Sequence, residues 1–344
     1  MGSQTGLRRW LLLACLLALL CACPARPAAI DQAAKTAAAK PARTLELRGQ
    51  VLTVQGRSLP SYTIIWVGLQ GATTPFNKGT YAMAGKFKFS KLLPGTYTVI
   101  TGVRGQGQAY QTVEVTPGLA DRKGRVYVFV ALRQSTEDLQ RRYTVSVRQL
   151  AITEGARNEY RKALGALGKR DADQAIQHLE KAVERSPGFW GAINLMGTIH
   201  YQRRELAKAE QLFREALALD PNAYDPMVNL GGTLLDLRRY REALVYNIGA
   251  TNRRPTDALE HAQLGLNLVA FGRYENAIPY LVRAKKLDPA HFSKPQLVLA
   301  EVYMHQGEMA KAAAELKEFM RLHPDDPLAV QLREEMKKQK SDNP

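Results

Sequence analysis

Residues 190–223 read WGAINLMGTIHYQRRELAKAEQLFREALALDPNA, and residues 224–257, YDPMVNLGGTLLDLRRYREALVYNIGATNRRPTD, follow the same plan. Gly197 is answered by Gly231, Ala209 by Ala243, Ala216 by Ala250 and Pro221 by Pro255, each time at an interval of 34. Working outward, Pro187 and Pro289 keep the interval, and Pro324 comes one residue late. Ala175, Ala277 and Ala312 lie 12 residues before their prolines, and Ala182 and Ala284 lie five before, with Phe319 in that place in the last copy. Ala163, Gly265 and Ala300 lie 24 before. Each copy predicts a pair of helices, with small residues where two backbones cross closely. Proline stops the second helix, because it lacks an N–H and disfavours helix in the residue before it. One such hairpin cannot bury its apolar face alone, so neighbours must stack.

The period and these columns resemble the tetratricopeptide repeat. The expected copies are 156–189, 190–223, 224–257, 258–291 and 293–326, with Phe292 as a single-residue insertion. A capping helix over 327–339 mixes Leu328, Val330, Leu332 and Met336 with charges, as an open solenoid end requires. The resemblance spans about half of the chain. It implies that the first helices line a concave groove that takes a protein or peptide partner. Carried over residue by residue, the groove positions hold Tyr160, Asn194, Thr198, Tyr201, Asn229, Asp236, Gln263 and Glu301. Asn229 matches the asparagine that holds a peptide backbone or carboxylate in chaperone-binding members. Tyr160 and Leu164 stand where those members carry Lys and Asn in their first repeat, so no chaperone-tail ligand is expected.

Upstream, from 43 to 133, the period changes to two. Leu45, Leu47, Gly49 and Val51 alternate with Glu46, Arg48 and Gln50; Tyr97, Val99 and Thr101 alternate again, as do Val126, Val128 and Val130. Gly71, Gly79, Pro94-Gly95, Gly105 and Pro117-Gly118 break the runs. Short strands at this spacing predict a small antiparallel β-sandwich. GKFKFSKLLPGTYTV (Gly85 to Val99) and RGQV (Arg48 to Val51) resemble the carboxypeptidase-regulatory-like, transthyretin-like sandwich, a non-catalytic fold. Tyr81-Ala82-Met83-Ala84 replaces the acidic turn that usually precedes its glycine. The expected fold class is therefore multidomain, a β-sandwich joined by a connector (134–155) to an α-solenoid of five helical hairpins.

Met1 to Cys23 reads as a signal peptide, with Arg8 and Arg9 before the apolar run Trp10 to Leu20. Leu20-Cys21-Ala22-Cys23 resembles a bacterial lipobox with Cys23 as the lipidated residue; conventional cleavage after Cys23 or Ala25 is the alternative. An Ala/Pro/Lys-rich tether (24–42) follows. The expected location is the periplasm or cell envelope. The net charge of +16 is unevenly placed: 43–133 carries 12 Lys and Arg against 3 Asp and Glu, whereas 156–326 carries 24 against 22. The basic excess on the sandwich includes Lys78, Lys86, Lys88, Lys91, Arg122, Lys123 and Arg125, a face suited to an anionic membrane or envelope polymer. The repeats lack the clustered cations that nucleic acid requires.

No reactive constellation is legible. The histidines His178, His200, His261, His291, His305 and His323 never pair at i, i+4, and no cysteine follows Cys23. Gly105 and Gly107 lie between strands with no helix following, so they read as a turn rather than a phosphate loop. No catalytic residue, metal or cofactor is expected. Two functions remain: an exported scaffold or adaptor working through the groove, or an envelope-binding protein whose basic sandwich holds glycan or anionic lipid, with the repeats as a spacer.

Overall fold

The computed structural model describes residues 44–61, 63–103, 107–133 and 151–341. The expected signal peptide with Cys23, the tether and residues 134–150 of the connector lie outside the described residues.

Seven strands come first: β1 (Leu45–Leu52), β2 (Ile64–Gly71), β3 (Asn77–Met83), β4 (Lys86–Leu92), β5 (Gly95–Val103), β6 (Gly107–Val115) and β7 (Arg125–Ala131). They hydrogen-bond in the order β6-β5-β2-β3-β4-β1-β7. Period-two alternation decides which side each residue takes. On β4, Phe87, Phe89 and Leu92 go inward and Lys86 and Lys88 outward. On β7, Val126 and Val130 go inward and Tyr127 and Phe129 outward. The inward sets of all seven strands join in one core around Leu47, Val51, Val67, Leu69, Phe89, Val99 and Val115. The link between β3 and β4 is thin, a single pair, Met83 with Lys86. Its turn is Ala84-Gly85, with φ of 51° and 75°, the positive values that a two-residue hairpin needs. A Cβ on Gly85 would come within 2.6 Å of the Val51 carbonyl oxygen, so no larger residue fits there. At the far end, Gln108 and Arg133 exchange both backbone hydrogen bonds, joining β6 to the residues after β7.

One pairing departs from the antiparallel expectation. β1 and β7 run parallel, from Glu46 opposite Arg125 to Leu52 opposite Ala131. A parallel pair needs a long crossover, and the whole chain from Thr53 to Gly124 lies between these two strands.

Eleven helices follow among the described residues: α1 (Glu154–Gly168), α2 (Ala172–Arg185), α3 (Trp190–Gln202), α4 (Leu206–Leu219), α5 (Tyr224–Asp236), α6 (Tyr240–Arg253), α7 (Ala258–Ala270), α8 (Tyr274–Leu287), α9 (Pro295–His305), α10 (Met309–Leu322) and α11 (Pro327–Ser341). α1 begins two residues before the expected Ala156, because Thr153 caps it: its hydroxyl accepts the Ala156 N–H at 3.2 Å. α11 runs to Ser341, two residues beyond the expected 339. The small-residue columns are buried throughout, including Ala163, Ala175, Ala182, Ala209, Ala216, Ala243, Ala250, Ala277, Ala284, Ala300 and Ala312. The glycine column faces the second helix of its own hairpin. A Cβ would come within 2.6 Å of Phe213 at Gly197, 2.7 Å of Leu281 at Gly265 and 2.0 Å of Asn247 Oδ1 at Gly231. The α6–α7 junction holds buried polar side chains. Asn247 donates to Asn267 Oδ1 at 3.1 Å, and Asn267 donates to the Tyr240 carbonyl at 2.9 Å.

Leu45–Pro295 form one compact unit. Helices α9 to α11 have a core of their own, built from Ala300, Ala312, Leu316, Phe319, Ala329 and Leu332. Within the larger unit the strands are fastened to the helices. Arg170, in the α1–α2 turn, donates to Tyr97 Oη at 2.8 Å and lies 4.7 Å over the Phe76 ring. Gln202, at the end of α3, donates to the Gly71 carbonyl at 3.0 Å. At the opposite end of the later hairpins, Arg254 lies over Tyr110, 5.9 Å from its centroid. There too, Thr112 N–H donates to Asp288 Oδ2 at 2.7 Å. The strands also pack on α1 through β3. The β region is therefore fastened to the ends of the hairpins, to Arg170 and Gln202 where first helices end and to Arg254 and Asp288 where second helices end.

Candidate functional site

The expected groove residues fall on the first helices, and the structure joins three of them. Asn229 Nδ2, on α5, donates to Asn194 Oδ1 on α3 at 3.0 Å and reaches Thr198 Oγ1 at 3.3 Å. Thr198 Oγ1 in turn donates to the Asn194 carbonyl one helical turn back, at 3.0 Å. The glycine pair Gly231-Gly232 explains how α5 comes close to its neighbours: a Cβ on Gly232 would meet Gln263 Nε2 at 2.6 Å.

Gln263 was expected as an exposed member of this row and is not one. It is buried, at 8% exposure, with its amide oxygen unpartnered among the described atoms. It packs into the space that the two glycines leave, so it belongs to the α5–α7 junction. Tyr201 and Asp236 also lie close together. Burial, and then the Asp236 carboxylate, push the Tyr201 phenol upward, so it stays protonated. Asp236 accepts from Arg204 at 2.7 Å. Tyr160 packs on Phe189, ring centroids 5.1 Å apart, and burial pushes its phenol up to about 12. It is a packing residue with a half-buried edge. Glu301 lies on α9 and is half-buried.

Sequence reading missed the polar cluster beside this row. Tyr224 Oη donates to Glu260 Oε1 at 2.5 Å. Burial, followed by the Asp257 charge, raises the Glu260 carboxyl well above its ordinary value. The Arg254 guanidinium lies 3.6 Å over the Tyr224 ring, its charge facing the electron-rich ring. No local pattern links residues 36 apart on different hairpins, which is why the cluster was invisible.

The basic residues expected on the β region separate into groups. Lys86 and Lys88 share the outward face of β4, next to Arg48 and Gln50 of β1. Lys78 is exposed on β3, which meets β4 only at Met83. Lys91 is exposed near the end of β4, and Arg122 and Lys123 are exposed in the turn before β7. Arg125 is tied to Asp121 by an ion pair of 2.7 Å, so its charge is largely compensated. Sequence reading also passed over Tyr127 and Phe129, although the Val126, Val128, Val130 alternation already sent them outward. Among the described residues no three His, Cys, Asp or Glu side chains gather as a metal site, and no described helix is long and apolar enough to cross a membrane.

Tetratricopeptide repeat family models match residues 160–224 and 268–336, and the helical hairpins there are tetratricopeptide repeats. A curated relative, anaphase-promoting complex subunit 3 of Schizosaccharomyces pombe, is 25% identical over 162 residues. That match covers 46% of this chain and 24% of the relative, so the chain spans about a quarter of the relative's length. Among solved structures, MamA from Desulfovibrio magneticus RS-1 is 21% identical, with a TM-score of 0.46 over 52% of this chain and 99% of that one. YrrB, described as a TPR protein with an unusual peptide-binding site, is 21% identical, with a TM-score of 0.44 over 55% of this chain and 98% of that one.

Proposed function

We propose that this chain is an exported scaffold or adaptor that captures an extended peptide segment of a protein partner on the first-helix side of α3 and α5. The observation that carries this reading is the Asn194–Asn229 pair. The pair uses one amide N–H and one amide oxygen on each other. A donor on Asn194 and an acceptor on Asn229 are left, the complement of one peptide unit. The tetratricopeptide matches support a protein-binding role, and Met1 to Cys23 supports export. The β region, a sandwich in this reading, is fastened to the same hairpins through Gln202 and Arg254. Five repeats with the boundaries given above complete the solenoid.

The test is selection of peptides from a random displayed library on the whole chain, followed by titration into the Asn194→Ala, Asn229→Ala variant. Each lost hydrogen bond is worth about 0.5–1.5 kcal/mol, so the double variant, losing two, is expected to bind at least about fivefold more weakly. Selected peptides that bind both proteins equally would remove the groove from consideration.

A further inference from the structure

The outward face of β4, β1 and β7 carries an arrangement that the repeats do not use. Arg48 lies opposite Lys88 on one side and Tyr127 on the other; Gln50 lies opposite Lys86 and Phe129. Alternate residues of a strand share a face, and directly opposed residues are side-chain neighbours. Two rows therefore cross three strands, Lys88–Arg48–Tyr127 and Lys86–Gln50–Phe129. They line a trough of about 460 Å³, within the size range of small-ligand sites.

Its chemistry is mixed in a particular way. Tyr127 and Phe129 are 57% and 67% exposed, so two aromatic rings stand outward on one strand, with the Arg125 guanidinium 5.6 Å from the centroid of Tyr127. The Lys86 and Lys88 side chains make no ion pair or hydrogen bond among the described residues, although the Lys88 charge is felt by Glu46. Arg48 is anchored by Glu46 at 2.5 Å, and Glu46 also accepts from Ser90 at 3.0 Å, which holds the guanidinium against the sheet.

We propose that this trough binds an acidic polysaccharide, a chain of uronic-acid units. The carboxylates pair with Lys86 and Lys88. The C–H faces of the sugar rings lie on Tyr127 and Phe129, whose ring faces are electron-rich. The Gln50 amide and the anchored Arg48 bond the ring hydroxyls. A bilayer surface is broad and flat and does not enter a trough, whereas a single polymer strand fills one. The proposal does not depend on the peptide-binding reading of the hairpins.

Affinity electrophoresis of the whole chain in gels containing polygalacturonate tests it. Retardation is expected with polygalacturonate and not with neutral dextran. Lys86→Gln with Lys88→Gln, and separately Tyr127→Ala with Phe129→Ala, are each expected to weaken retardation at least tenfold. The melting midpoint should stay put, because all four side chains are exposed. The proposal is overturned by an absence of retardation at low salt. It is equally overturned if the aromatic pair is dispensable, since the charges alone would then act as a nonspecific polycation. Stronger binding to phosphatidylglycerol vesicles or to single-stranded DNA than to polygalacturonate would replace the glycan with that ligand. A dimer broken by Phe129→Ala would show the face to be covered by a second copy.

Discussion

Asp288 lies just past α8, where Thr112 of β6 donates its N–H to Oδ2 at 2.7 Å and Oδ1 is buried without a hydrogen bond. β6 is the last strand of the hydrogen-bonded order, and a strand in that place needs its free N–H groups covered. The cover has an electrostatic cost. Burial is the largest influence on the carboxyl and pushes it from 3.8 up to about 6, against the pull of the Thr112 hydrogen bonds and the Arg133 charge. The folded-state value lies above the unfolded one. The contribution to stability is therefore full below about pH 4 and is lost as pH rises through about 6, a swing of about 3 kcal/mol. Asp288→Asn keeps an acceptor for Thr112 and removes the titration. Its unfolding free energy relative to the parent should be most favourable near pH 7.5 and decline toward pH 4. Urea denaturation at several pH values measures this, and a difference that stays constant between pH 4 and 7.5 would contradict it.

The turns between paired helices repeat as regularly as the prolines. Arg170, Arg204, Arg238, Gly272 and Gly307 each have positive φ, between 59° and 74°, and each lies 17 residues before its proline. Glycine adopts this conformation freely, and other L-residues pay about 1–2 kcal/mol for it. For Arg170 the cost is offset by Tyr97 and Phe76, and for Arg204 by Asp236. Arg238 is exposed and has no such contact among the described residues. Arg238→Gly is therefore expected to raise stability by about 1 kcal/mol, read as a higher melting midpoint, whereas Arg170→Gly should lower it. A lower midpoint for Arg238→Gly would mean that the arginine has a role at that turn. These turns show where sequence reading stops. The small-residue columns and prolines marked every hairpin, because packing and helix termination act on the residue that stands there. An arginine in a left-handed turn carries no local signature. Sheet register behaves likewise: alternation separated inward from outward on β4 and β7, but only the folded chain shows β1 lying parallel to β7.

The fastening of the strands to the hairpins was beyond the sequence, since Gly71 and Gln202 are 131 residues apart and Thr112 and Asp288 are 176 apart. No periodicity encodes such contacts. The site was legible in part. Column positions led to Asn194, Thr198 and Asn229, which do meet, and equally to Gln263, which the Gly231-Gly232 pair draws inward. The charge count led to the β region, while the Val126, Val128, Val130 alternation put Tyr127 and Phe129 on the outward face without showing which strands flank them. The claim that most needs testing is that an extended partner peptide lies over α3 and α5. A photoreactive amino acid placed at Thr198, and in a separate protein at the exposed Val245 of α6, tests it when irradiated with a library-selected peptide. The account predicts a peptide adduct from Thr198 and none from Val245; an adduct from Val245 alone would contradict it.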